Sequence, residues 1–378
     1  MLTFHNHIPQ TIGTILFWLL AASFLIQLSI YVFIYLRFAF YKPKISGRAH
    51  KPVSVIICAK NELENLRKNI YSVLGQSYPD FEVVVVNDCS WDETDLFLSG
   101  LKQQYKNLKV VNITEQKNYR RGKKLALTLG IKAASHEHLL FTDADCKPSS
   151  PNWLTNIQNN FADEKEIILG YGAFTKEKGF LNKLIRADAY MIALRYLSCA
   201  LTGIPYMGVG RNLAYSKTLF FGNKGFASHN HLLSGDDDLF VNETATSKNT
   251  SIEVQKQSFT YTTAKTKFSA WFKQKARHLS TAKHYKFSRK IFLGADAASS
   301  FLFLSLIIFW LAAGYDWKIA LAFFGIRFLI QLIVNIKSTI KLDEKDLILF
   351  FPIMELVLFF IYPFLYLSSS FQKNITWK

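Results

Sequence analysis

Residues 11–36 run TIGTILFWLLAASFLIQLSIYVFIYL without one charged side chain. As a helix, 26 residues rise about 39 Å at 1.5 Å each, more than the roughly 30 Å hydrocarbon core of a bilayer. A cleaved signal peptide needs a basic start and a shorter apolar core. Met1–Gln10 carries no Lys or Arg, so the run reads as an uncleaved anchor. Arg37, Lys42, Lys44, Arg48 and Lys51 follow at once, and the positive-inside rule puts that flank in the cytoplasm and the N-terminus outside. Three more apolar runs, about Ala297–Gly314, Ile319–Ile336 and Leu347–Leu367, fill the last third. Four spans leave everything from Pro52 to about Lys290 on the cytoplasmic side.

Phe272–Lys290, FKQKARHLSTAKHYKFSRK, holds seven Lys and Arg and no acid, interleaved with Phe, Leu and Tyr. That pattern predicts a helix lying on an anionic membrane face just before the next span. Much of the net charge of +17 adjoins membrane spans in this way, which argues against a nucleic-acid partner. The four cysteines form no C-x-x-C pair. They read as small buried hydrophobes in a reducing compartment rather than as a zinc site or disulfides.

The middle of the chain alternates strand and helix. VSVIIC (Val53–Cys58) is a short β-branched run of the kind buried in parallel sheets. Leu63, Leu66, Ile70, Val73 and Leu74 form one helical stripe. FEVVVVN (Phe81–Asn87) is a second strand, and Ser90-x-x-Glu93 predicts a capping box opening a second helix. A strand over Lys109–Ile113, a helix over Gly122–Ala134 and a strand over His138–Thr142 complete a parallel sheet wrapped by helices. Such sheets bind ligands beyond the carboxyl ends of their strands. Those ends read Ala59-Lys60-Asn61-Glu62, Asn87-Asp88-Cys89-Ser90 and Asp143-Ala144-Asp145.

Carboxylates at i and i+2 beyond a strand, Asp143 and Asp145, can grip one hard cation that neutralises a diphosphate. Asp88 can accept hydrogen bonds from a base or ribose, or serve as a turn aspartate. Gly122-Lys123 opens a helix inside a basic cluster with Arg120, Arg121 and Lys124, a setting that suits phosphate as well as plain solvation. In Ser234-Gly235-Asp236-Asp237-Asp238-Leu239, three adjacent carboxylates repel one another. One of them can take a proton from a hydroxyl, or the run can simply start a helix.

With these residues in place, Pro52 to about Lys283 resembles a family-two glycosyltransferase with a GT-A fold, a Rossmann-like, mostly parallel α/β sheet. VSVIICAKNE resembles the opening strand and nucleotide loop, and VVVVNDCSWDET the second strand with its base- or ribose-binding aspartate. GKKLAL resembles the G-K-x-x-A-L helix start and FTDADCKP the D-x-D metal motif. SGDDDL resembles T-E-D-x-D-L, whose register makes Asp236 the general base. Gly235 replaces the usual glutamate, so Asp237 also remains a candidate. Gln274-x-x-Arg277-His278 resembles Q-x-x-R-W, with His278 in place of the tryptophan found in chain-elongating members. Gly208-x-Gly210-Arg211-Asn212 resembles a loop between the two halves of the site.

The resemblance implies an inverting transferase working by one displacement. Ala59, Glu62, Asp88, Lys123 and Asp143 would hold the nucleotide. Asp143 and Asp145 would hold Mg or Mn. Asp236 or Asp237 would deprotonate the acceptor. Gly210, Asn212, Gln274, Arg277 and His278 would serve acceptor or diphosphate. The donor would be a nucleotide-diphosphate sugar, UDP-sugars leading, and the acceptor a saccharide or lipid-linked molecule at the cytoplasmic membrane face. A polyprenyl phosphate is the alternative acceptor, and a silent nucleotide-sugar-binding scaffold the non-enzymatic alternative. A nucleotidyltransferase would more often show a glycine-rich loop where this chain has AKNE. The expected layout is an anchor and basic flank over residues 1–50, a GT-A domain over 51–270, an interfacial basic helix over 271–295, and about three membrane helices over 296–378.

Overall fold

A computed structural model describes residues 10–43, 50–114, 122–161, 164–232 and 234–371. Lys44, Arg48, Arg120 and Arg121, singled out above, lie outside the described residues. The chain opens with α1 (Gln10–Ile30), a π-helical turn (Tyr31–Tyr35) and α2 (Leu36–Phe40), which together make one helical run. The soluble domain begins β1 (Val53–Ala59), α3 (Leu63–Leu74), β2 (Phe81–Asp88), α4 (Thr94–Gln104), β3 (Leu108–Ile113), α5 (Lys123–Ala133), β4 (His138–Asp143). It continues with β5 (Lys147–Pro148), α6 (Trp153–Gln158), β6 (Ile167–Leu169), β7 (Gly172–Phe174) and α7 (Phe180–Leu201). Then come β8 (Leu213–Ser216), α8 (Lys217–Gly222), α9 (Asp238–Thr244), β9 (Thr250–Ile252), β10 (Thr260–Thr262) and α10 (Phe268–Leu279). Three long helices end the chain: α11 (Phe287–Ala312), α12 (Trp317–Lys341) and α13 (Phe351–Phe371).

The main sheet has seven strands in the order β3-β2-β1-β4-β8-β6-β9. β1 to β4 are mutually parallel, and β8 runs antiparallel to both β4 and β6. Every residue of β1 is buried, because helices cover both faces of the sheet. Val55, Ile57, Val83 and Val85 pack with Leu66, Ile70 and Val73 of α3 on one side. Ile56, Val84 and Val86 pack with Ala126, Leu127 and Ile131 of α5 on the other. A Cβ on Gly130 would sit 2.9 Å from both Ile56 and Val86, so α5 approaches the sheet as closely as a bare backbone allows. Register aligns the strand ends: Cys58 lies opposite Asp143 on one side of β1, and Ala59 opposite Asn87 on the other. The polar residues that follow these strands therefore leave the sheet on one rim.

Four helical stretches are long and apolar enough to cross a membrane: Thr11–Phe40, Phe287–Ala312, Trp317–Lys341 and Lys345–Ser369. Trp18, Phe33, Phe360 and Phe364 point outward and exposed from them, a surface that suits lipid better than water. Two charges within them, Asp296 and Arg327, are buried, and Arg327 faces inward toward Glu355.

Two sequence expectations fail here. Ser90 does not cap α4. Its Oγ accepts the backbone N–H of Asn61 at 2.9 Å, while Glu93, at the start of α4, has φ +51° and makes no side-chain cap. The single basic helix expected over 271–295 is not formed either. α10 stops at Leu279, a 3-10 turn spans Ala282–His284, and α11 starts at Phe287. The reason is that several of these side chains turn inward. Lys275 is buried in an ion pair with Asp188 at 2.8 Å, and Thr281 and Tyr285 bond to Asp238.

α7 joins the soluble domain to the membrane helices. Asp188 accepts Tyr362 of α13 as well as Lys275, and Arg195 pairs with Asp296 of α11 at 2.9 Å. Arg186, 2% exposed, pairs with Glu344 and Asp346 in the turn between α12 and α13. Glu344 also accepts the hydroxyl of Tyr171 at 3.2 Å. Removing one member of a buried pair strands the other charge. Arg186→Met is therefore expected to lower the unfolding free energy by about 3–5 kcal/mol. An unchanged melting temperature of the detergent-purified protein would show that this contact does not hold the two parts together.

Candidate active site

The rim above β1, β2 and β4 gathers residues that are distant in sequence. Asp143 ends β4. Lys123 is the first residue of α5, and its ammonium lies 2.9 Å from Asp143 and 3.1 Å from Asp236. A hollow at this point is lined by Cys58, Lys123, Asp143, Gly210, Asp236 and Asp237, among others. Asp88 stands one strand away at the end of β2, 2% exposed, with the Lys60 ammonium 3.9 Å from its carboxylate. Burial raises the pKa of the Cys58 thiol. Asp143 and Asp236 share the hollow, whereas Asp88 is not among the residues that line it. Burial alone would lower the pKa of Lys123, but Asp143 and Asp236, then Asp237, raise it well above the usual lysine value. The ammonium is charged at any working pH.

The three consecutive aspartates divide the available contacts unequally. Asp237 Oδ2 accepts the N–H of Gly210 at 2.7 Å, and its Oδ1 accepts the N–H of Asp238 at 2.8 Å. Burial, then the charges of Asp236 and Asp238, push its pKa up to about 7. Asp238 is buried and accepts the hydroxyls of Thr281 and Tyr285 and the N–H of Leu239. Asp236 alone of the three pairs with Lys123. Gly235 explains the departure from the usual acidic motif: its φ is +95°, and a Cβ there would meet Leu239 at 2.4 Å. A side chain at that position is excluded by backbone and space alike.

On the other side of Asp143, the carboxylates of Asp143 and Asp145 and the thiol of Cys146 lie within 4.8 Å of one another. Burial, then the charge of Asp143, raises the pKa of Asp145. Burial, then Asp143 and Asp145, holds the Cys146 thiol well above its usual range, and its Sγ–H donates to Asp145 at 3.4 Å. Two crowded carboxylates with a protonated thiol behind them fit a hard divalent cation, which prefers oxygen and relieves their repulsion.

Other expected site residues fall in different places. Ala59 is fully buried at the end of β1, and Glu62 sits just before α3, where its carboxylate accepts the Asn65 amide. Gly210 offers its N–H to Asp237, so it shapes the hollow through its backbone. Asn212 is fully buried. It donates to Tyr171 O at 3.0 Å and Ser258 O at 2.8 Å and accepts Trp153 Nε1 at 3.0 Å. Its amide is spent inside the protein, which leaves it a brace for the loop rather than a ligand contact. Gln274, Arg277 and His278 lie on α10. His278 is exposed on α10, with the positive charges of Arg277 and Lys275 among its neighbours on that helix.

Arg211 lies beside the Asp143–Asp145 cluster, a neighbour that the sequence does not assign. Its guanidinium lies 4.3 Å from the Phe174 ring centroid, and its charge opposes the rise in the pKa of Asp145. Its buried Nη1 has no hydrogen-bond partner among the described residues. The sequence signal was an arginine between two loop glycines and an asparagine, too common to single out.

Residues 54–221 match the model of glycosyl transferase family 2. This domain belongs to that family. The glycosyltransferase domain is 32% identical over 120 residues to the poly-beta-1,6-N-acetyl-D-glucosamine synthase of Staphylococcus epidermidis, covering 31% of this chain and 28% of that one. It is 38% identical over 104 residues to the glycosyltransferase AglE of Haloferax volcanii, covering 27% of this chain and 33% of that one. The chain therefore aligns with no more than a third of either relative. In three dimensions it is similar to the mannosyltransferase PcManGT of Pyrobaculum calidifontis, solved in complex with GDP-Man and Mn2+. The TM-score is 0.59 at 19% identity, over 95% of this chain and 100% of that one. The likeness shows a shared GT-A fold.

Proposed function

We propose that this glycosyltransferase moves a sugar, with inversion, from a nucleotide-diphosphate sugar to a saccharide or lipid-linked acceptor at the cytoplasmic face of a membrane. One observation carries the proposal: Asp143 and Asp236, from distant parts of the chain, converge on the same ammonium, that of Lys123.

Asp88, with Glu62 beside the loop, takes the base or ribose, and the backbone at Ala59 closes that side. Asp143 and Asp145 would hold Mg or Mn, which would supply charge neutralisation for the diphosphate. Lys123 passes from Asp143 to the phosphate oxygens as the donor enters, and Arg277 meets the charge that grows on the leaving group. The acceptor hydroxyl gives its proton to Asp236 while its oxygen bonds to the anomeric carbon. The bond from that carbon to the diphosphate breaks, and its electron pair leaves with the nucleotide. Attack opposite the leaving group inverts the centre. Asp237 is the weaker candidate for the base, since backbone amides hold both its oxygens.

Purified full-length protein is expected to gain thermal stability with one class among UDP-, GDP- and CMP-sugars in the presence of Mn. Membranes containing it are expected to transfer that sugar, with separate saccharide and polyprenyl-phosphate acceptors distinguishing the acceptor class. Stabilisation without transfer or hydrolysis would favour a silent binding scaffold. A chain that neither binds nor transfers any of these donors is not a glycosyltransferase of this kind.

A further inference from the structure

Trp91 is the anomaly of the nucleotide rim. Its side chain is 83% exposed, in the loop that follows Asp88 and β2. Hydrogen bonds tie the loop that carries it to the β1 loop and to the end of β3. Ser90 Oγ accepts the N–H of Asn61 at 2.9 Å, and the N–H of Trp91 returns to Asn61 Oδ1 at 3.0 Å. Asp92 accepts the N–H of Leu63 at 3.0 Å and the hydroxyl of Thr94 at 2.6 Å. Cys89 Sγ donates to Ile113 O at 3.1 Å. Asn61, Cys89 and Glu93 all have φ near +50° without being glycine, a concentration of unfavourable backbone in two facing loops. The chain thus fixes this loop against the β1 loop and leaves the largest apolar side chain on it in water. A floppy loop could fold such a residue away, but this one cannot.

We infer that the Trp91 indole stacks on the nucleobase of the donor, acting as the outer wall of a base site whose floor is Asp88. The inference rests on the nucleotide-sugar reading above. The chemistry fits the place. A base is a flat aromatic surface, and the rim beyond β1 and β2 is where an open sheet of this kind takes a nucleotide. Stacking on an aromatic side chain tolerates any base, while the Asp88 carboxylate supplies a polar contact at the edge. The diphosphate, held farther along the rim at Asp143, would not touch this ring.

The test is calorimetric titration of the full-length, detergent-purified protein with UDP, GDP and pyrophosphate, each with Mn. Trp91→Ala is expected to weaken nucleoside diphosphate binding about ten-fold, within the range for base–aromatic stacking, and to leave pyrophosphate unchanged. Trp91→Phe should recover most of the loss. Quenching of tryptophan fluorescence by UDP should shrink in Trp91→Phe although binding persists. If Trp91→Ala binds nucleoside diphosphates as tightly as the wild type, the stacking role is wrong and the glycosyltransferase reading stands. If pyrophosphate weakens equally, the residue acts on the fold and the inference is overturned. Wild-type protein that binds no nucleoside diphosphate overturns the donor reading and this inference with it.

Discussion

Asp236→Asn is expected to cut sugar transfer about a thousand-fold, in the middle of the range for a lost general base, with nucleotide-sugar affinity changed by no more than about three-fold. The asparagine matches the aspartate in size and can still meet Lys123, but its amide cannot accept the acceptor's proton. On the proposed reading, ground-state binding of the donor would depend on Asp88, Lys123, Asp143 and Asp145, which the substitution leaves in place. Asp237→Asn gives the contrast. Its carboxylate braces Gly210 and the start of α9 through two backbone amides, and an amide oxygen can replace only one of those contacts. That variant should melt earlier and lose activity in proportion to the folded fraction. Single-turnover transfer, corrected for folded protein, separates the two. Full single-turnover activity in Asp236→Asn would move the base elsewhere, with Asp237 next in line.

The parts of the fold that the sequence revealed were those governed by local pattern. VSVIICA and FEVVVVND form strands because β-branched runs buried on both faces have no alternation to hide. The four apolar runs are helical almost throughout because an uncharged apolar stretch long enough to span a bilayer satisfies its own backbone only as a helix, even with a π-helical turn over Tyr31–Tyr35 in the first and Pro363 inside the last. The convergence of Asp143 and Asp236 was legible only as motifs in order, since no local pattern says that α5 brings Lys123 between them. What stayed hidden depended on tertiary partners. α7 carries Arg186, Asp188 and Arg195 among apolar residues and is buried on nearly every side, so it shows no amphipathic stripe. Its charges make sense only beside Glu344, Lys275 and Asp296. Ser90 and Glu93 have the spacing of a capping box, but the β1 loop captured Ser90 first. The basic stretch after Phe272 looked like a membrane-surface helix because charge sign is visible in sequence, whereas the buried acid that takes Lys275 inward is not. Asn212 looked like a ligand contact for the same reason.

Asp143→Ala should abolish metal-stimulated transfer and weaken nucleotide-sugar binding more than ten-fold. A cation on a leaving diphosphate supplies several kcal/mol of charge stabilisation, so turnover should fall about a thousand-fold at saturating donor. The geometry makes the loss compound. Asp143 belongs both to the pair with Asp145 and to the bridge through Lys123, so its removal deprives the cation of a ligand and leaves the lysine ammonium paired with Asp236 alone. Adding Mn should not rescue the variant. Asp145→Ala removes only the first of these effects. It should respond partly to raised Mn, because Asp143 still offers one oxygen donor and the donor's own phosphates supply others. Cys146→Ser is the control at the same spot. The thiol is protonated and turned toward Asp145, and a hard cation has little use for it, so the metal requirement should be unchanged. Transfer measured against Mn concentration, after stripping with a chelator, orders these variants. Equal Mn dependence in wild type and Asp143→Ala would mean that the two carboxylates beyond β4 do not hold the cation, and the donor site would have to be sought elsewhere on the rim.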